Sequence, residues 1–167
     1  MSAGAPAPGP AAGGGPAASW PRMAVATLAL AGLLISAYLL LHRLGLVGRL
    51  ICGAEGSCET VQSSSYAEFL GVPVAGIGLV GYLVMMAVAL AGLQPQLAGV
   101  RRVSLVLLAL SLPAVAFTIY LNALEAFVIH AWCRWCIASA TIVTLIFLAS
   151  LADLVLGHRP AADRRLT

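Results

Sequence analysis

Four long apolar blocks, set apart by short polar intervals, organise this chain: about 23–41, 72–93, 103–129 and 133–156. At 1.5 Å of rise per helical residue, each is long enough to cross roughly 30 Å of hydrocarbon. The pattern predicts an all-α integral membrane protein, a four-transmembrane-helix bundle with a cysteine-bearing external loop between helices 1 and 2. Pro113 interrupts the third block and Asn122 lies within it, so a kink facing the bundle is expected there, where neighbouring helices satisfy the freed backbone groups. The first block, preceded by Arg22, has the alternative reading of a secretory signal. It exceeds the usual apolar core of about 7–15 residues and lacks a small-x-small cleavage site, which favours an uncleaved helix.

Composition supports the bilayer. The chain is 61% hydrophobic and 9% charged, with mean hydropathy +1.00, against the roughly 25% charged residues of soluble domains. Residues 1–21 are almost wholly Ala, Gly, Pro and Ser, with nothing to build a core, and are expected to form a disordered tail. A single membrane domain over 22–157 and a short cytoplasmic tail over 158–167 complete the expected organisation. Orientation follows from arginine, the strongly basic residue type present. Arg22, Arg101, Arg102, Arg159, Arg164 and Arg165 flank the N-terminus, the second connection and the C-terminus; Arg43, Arg49 and Arg134 fall on the other side. Both termini are therefore expected in the cytoplasm. The net charge of +3 is this topological signal and calls for no nucleic-acid partner. Glu55, Glu59, Glu68 and Glu125 lie opposite the arginine-rich side, where acids contribute little to topology.

The candidate chemistry is sulfur. Cys52 and Cys58 lie in the first connection, Cys133 and Cys136 at the third, so both pairs face one side of the membrane. With that side exterior, the pairs sit where disulfides persist. Two structural disulfides, or one cross-linked set, would brace a non-catalytic membrane scaffold. A four-thiolate zinc site is the other standard use, but structural zinc modules use C-x₂₋₄-C knuckles, and one pair here is spaced C-x₅-C. His42, His130 and His158 are dispersed over two faces and are not assigned as ligands, so no metal is expected. Cys133-Arg134-Trp135-Cys136 favours exchange instead. A C-x-x-C at a helix start sets the first sulfur among unpaired backbone N–H groups, which stabilise thiolate, and Arg134 adds a cation. Trp132 and Trp135 suit the membrane interface, where a lipid-soluble molecule meets a sulfur. The stretch Leu44–Ile51 is predicted to lie in the interface as a short amphipathic helix. Gly53 and Gly56 would leave the first pair mobile enough to take electrons from a soluble dithiol and swing to the second pair, since exchange needs sulfur to approach sulfur.

Cys52, the run Cys58-Glu59-Thr60-Val61-Gln62-Ser63-Ser64, the Gly71–Gly78 approach to the second span, Tyr120-Leu121, and Cys133 through Ser139 together resemble the vitamin K epoxide reductase family, over essentially the whole chain from first span to last. Order separates it from the DsbB type of quinone-linked oxidase, whose C-x-x-C lies in the first external loop. The resemblance implies that Cys136 lies next to a quinone, that Cys133 is its exchange partner, and that Cys58 exchanges with Cys133 while Cys52 completes the loop pair. Ser64 matches a family serine near the active site. Tyr66, Tyr82 and Tyr120 are candidate pocket or interface aromatics. The implied activity is quinone-dependent disulfide generation in a bacterial inner membrane: a periplasmic DsbA-like or thioredoxin-like dithiol protein gives electrons to Cys52/Cys58, these reduce Cys133/Cys136, and Cys136 reduces a quinone held in the bundle. Animal members carry a tyrosine four residues after the second C-x-x-C cysteine, where this chain has Ala140, and an asparagine near the start of span two, where it has Val72-Pro73-Val74. A respiratory quinone, menaquinone or ubiquinone, is therefore expected over an epoxide. Many bacterial relatives carry a fused thioredoxin-like domain after the last span; here the dithiol partner is expected to be separate.

Overall fold

The computed structural model describes residues 20–52, 57–97 and 100–156. Four long helices dominate: α1 (Trp20–Arg43), α3 (Val74–Gly92), α4 (Arg101–Leu124) and α5 (Arg134–Leu156). All four are long and apolar enough to cross a membrane. The short helix α2 (Ser57–Ser63), a 3₁₀ turn (Ser65–Ala67) and a two-stranded hairpin lie between α1 and α3. In the hairpin, β1 (Glu68–Phe69) pairs antiparallel with β2 (Val72–Pro73). Its two central residues, Leu70 and Gly71, have φ of 53° and 78°, the left-handed pair that a tight two-residue hairpin turn requires. Pro73 then caps α3, so the second span begins two residues after the predicted boundary at 72.

The helices pack in a ring in which α1 contacts α3 and α5, α4 contacts α5 and α3, and α1 and α4 take opposite corners. Small residues set how closely they approach. Val25, Ala29, Gly32, Ser36 and Leu39 are the buried stripe of α1, and Tyr82, Met85 and Ala89 that of α3. A Cβ at Gly32 would collide with the Tyr82 ring, and one at Gly92 would reach within 2.6 Å of Val103 Cγ1. Such small-residue contacts let backbones approach where lipid offers no hydrophobic drive between helices.

Several expectations change. Helix α1 starts at Trp20, ahead of the predicted 23, taking Trp20 and Pro21 out of the expected tail, and Arg22 is no free topological charge. It is 4% exposed; its Nε donates to Asp153 Oδ2 at 3.0 Å, and its Nη1 donates to the carbonyls of Gly92 and Leu97 at 2.7 and 2.9 Å. Ser104 Oγ donates to the same Asp153 oxygen at 2.6 Å. The stretch Leu44–Ile51 is not helical: Gly45, at φ 72°, turns the chain out of α1, and turns and bends follow. Helix α4 runs through Pro113 without ending and passes into a π-helical turn, Glu125–Ile129. His130 closes that turn at φ 54°. The expected N- and C-terminal tails and the glycines at 53 and 56 lie outside the described residues.

Candidate functional site

Both cysteine pairs meet at one end of the bundle. Cys58 and Cys133 are fully buried and belong to one apolar cluster with Leu39, Leu50 and Val61; Cys52 and Cys136 pack against it. Cys52 and Cys58 are joined as a disulfide, whereas Cys133 and Cys136 are free thiols. Cys133 lies just ahead of α5, where its carbonyl accepts from the Ile137 N–H at 3.0 Å and its Sγ accepts from the Cys136 N–H at 3.4 Å. Hydrogen bonding from the Cys136 thiol, reinforced by backbone N–H groups, holds the Cys133 thiol below its ordinary pKa against the opposing effect of burial. Arg134 points outward and is exposed, so the Cys136 thiol and the backbone N–H groups, and not the neighbouring cation, stabilise the thiolate.

A cavity of about 370 Å³ opens among the helices, within the size range of small-molecule sites. Cys136 lines it, with Ser64, Tyr66, Tyr82, Asn122 and Glu125, while the other three cysteines do not. Ser64 Oγ donates to the Val61 carbonyl at 2.7 Å, tying the end of α2 back on itself. Tyr82 comes from α3 and its hydroxyl lies 2.8 Å from Ser139 Oγ on α5. Tyr66 is half exposed at the rim. Of the two readings, pocket or interface, Tyr120 does not take the first: it is 51% exposed, stacks on Phe117 and does not line the cavity. Ala140 lies in a separate outer groove; the phenols on the cavity wall are those of Tyr66 and Tyr82.

The two tryptophans divide their work. Trp132 is exposed, as an interface residue would be. Trp135 turns inward instead; its Nε1 donates to the Ile51 carbonyl at 3.3 Å and its ring meets Tyr38 edge-on at 5.4 Å. It thereby pins the backbone next to Cys52.

Two residues at the inner pair were not singled out by the sequence. Glu125, taken only as a charge on the cysteine side, is 2% exposed, and its Oε2 accepts from the Cys133 N–H at 3.0 Å. The π turn helps place this carboxylate against the sulfurs: one ligating oxygen and both Sγ atoms lie within 4.8 Å of one another. An acid inside an apolar block was the available signal, because ionisable groups at membrane depth are costly. Gln62 places its Nε2 4.0 Å from Cys136 Sγ. It follows Cys58 by four residues, one helical turn on the same face of α2.

Four membrane-spanning helices, a loop disulfide and a reduced C-x-x-C beside an apolar cavity define a membrane thiol oxidoreductase. The chain matches the Vitamin K epoxide reductase family over residues 23–151, and it belongs to that family. Its members pass electrons between thiols and quinones, so a quinone acceptor and a thiol partner come with membership.

Proposed function

We propose that this protein generates disulfides by relaying electrons from a periplasmic dithiol partner, DsbA-like or thioredoxin-like, to menaquinone or ubiquinone. One observation carries the reading: Cys136 lines the apolar cavity, while Cys133 sits behind it in the buried cluster that also holds Cys58. The partner's thiolate attacks the Cys52–Cys58 disulfide, and a mixed disulfide resolves to leave the partner oxidised and the loop pair reduced. The loop thiols then reduce a Cys133–Cys136 disulfide, with Cys58 and Cys133 as the exchanging atoms. In the structure the loop pair is oxidised and the inner pair reduced, the state that meets a quinone. Two electrons pass from the inner pair to the ring, two protons join its oxygens, and Cys133–Cys136 closes as a disulfide.

The chain's own residues supply placement. Hydrogen bonds from the Cys136 thiol and backbone N–H groups favour thiolate at Cys133, and the cavity wall, with Tyr82 and Ser139 on one side and Asn122 on the other, offers hydroxyl and amide groups to quinone oxygens. The exposed Arg101 and Arg102 at the start of α4 support a cytoplasmic position for that end, which sets the cysteines toward the periplasm of a bacterial inner membrane. Purified protein in detergent, given a reduced DsbA-like dithiol and each quinone analogue, is expected to reduce one quinone class preferentially, with no turnover in Cys136→Ala. A folded wild type that turns over no quinone overturns the proposal.

A further inference from the structure

We infer that the reduced inner pair and Glu125 form a zinc site, one that the Cys133–Cys136 disulfide abolishes. Zinc is held by thiolates at about 2.3 Å and carboxylate oxygens at about 2.0–2.2 Å, which puts tetrahedral ligands roughly 3.5–3.8 Å apart. The three candidate atoms already lie within 4.8 Å of one another, so a small closure completes the set. Glu125 and Cys133 are buried, and the carboxylate is pre-oriented by the Cys133 N–H at 3.0 Å, the kind of supporting bond that fixes ligands in metal sites. The C-x-x-C spacing at a helix start is itself a zinc-knuckle spacing. The fourth position faces the cavity beside Gln62, whose amide is 4.0 Å from Cys136 Sγ, leaving room for a water or the amide oxygen.

Charge selects the occupant. Once their protons are lost, two thiolates and a carboxylate carry three negative charges, and the cavity wall includes no Lys, Arg or His to balance them. Buried charges of this kind are paired or coordinate metals. Soft sulfur ligands choose zinc over magnesium or calcium. On binding, each thiol releases its proton to water. This differs from a four-cysteine site, since the loop cysteines take no part. Zinc and the disulfide compete for the same two sulfurs, so bound metal halts the relay and oxidation expels the metal; this consequence rests on the proposed function above, but the site itself does not.

Cobalt(II) added anaerobically to the reduced full-length protein in detergent tests the site without any quinone. The expected result is a thiolate-to-cobalt charge-transfer band that saturates at one metal per chain and is displaced by zinc. It disappears in Cys133→Ser, in Cys136→Ser and after oxidation of the pair. It persists in the Cys52→Ala/Cys58→Ala double variant, and it needs at least tenfold more cobalt in Glu125→Gln, which keeps an acceptor for the Cys133 N–H. Absence of the band in reduced, folded wild type overturns the inference, as does equal affinity in Glu125→Gln or a requirement for Cys52 and Cys58. In a second arm, saturating zinc is expected to slow quinone reduction at least tenfold and a chelator to restore it. Undiminished turnover with zinc bound overturns the blocking step and leaves the cobalt result to decide the site.

Discussion

Replacing Arg22 with Ala removes a side chain that ties three parts of the bundle together at the end away from the cysteines. Its guanidinium pairs with Asp153 on α5 and donates to the carbonyls of Gly92, Leu97 and Val100 around the α3–α4 connection. Asp153 is 3% exposed and would keep only its bond from Ser104. Breaking a buried pair on one side costs about 3–5 kcal/mol, because the remaining charge stays buried without its partner. At about 2–4 °C per kcal/mol for a chain of this size, the midpoint of thermal unfolding should fall by roughly 6–20 °C. Removing both charges in Arg22→Met/Asp153→Leu should recover most of that loss, since an ion pair in low dielectric is worth little more than well-packed apolar groups. Differential scanning fluorimetry in detergent, on wild type, both single variants and the double variant, measures the cycle. Single variants within about 1 kcal/mol of wild type, or a double variant as unstable as the sum of the singles, would refute the reasoning.

Other consequences follow at the redox end. Tyr82→Phe deletes the hydroxyl that meets Ser139, a net loss of about 0.5–1.5 kcal/mol; quinone KM should rise roughly 2–10-fold, and an unchanged KM would take Tyr82 out of the binding wall. Gly32→Val drives a side chain into the Tyr82 ring and should cost about 1–3 kcal/mol by overpacking, read as a lower unfolding midpoint together with weaker quinone binding. Trp135→Ala releases the Ile51 carbonyl and the Tyr38 contact, so the loop should be cut faster by limited proteolysis, with the helices still protected. By contrast Arg43→Ala breaks an exposed pair with Glu68 at 2.6 Å and should change stability by less than about 1 kcal/mol.

The spans were legible because length and apolar content suffice to mark a membrane helix, and each boundary falls within about three residues of its predicted place. Their inward faces were not. Leu34 is 62% exposed and Val25 fully buried on the same helix, yet both are apolar, since lipid and protein interior select the same residue types. For the same reason Tyr82 and Tyr120 read alike in sequence, although one lines the cavity and the other stacks on Phe117 at the bundle surface. The C-x-x-C was legible because its chemistry is local: spacing and a helix start define it. Glu125 and Arg22 depend on partners elsewhere. The hydrogen bond from the Cys133 N–H reaches a carboxylate in the π turn after α4, and the Arg22–Asp153 pair joins residues 131 apart. Arg22 reads as a topological charge in sequence because nothing near it shows that it is buried.

The most direct test of the relay is an anaerobic titration without a dithiol donor: protein with all four thiols reduced is mixed with excess quinone and the quinol formed is counted. Each dithiol that closes to a disulfide releases two electrons and two protons, enough for one quinol. Wild type should yield two quinols per chain, the Cys52→Ala/Cys58→Ala variant one, and Cys136→Ala none. Quinol formed by Cys136→Ala, or a wild-type yield that stays at one, would contradict the path from the loop pair through Cys133 and Cys136 to the cavity.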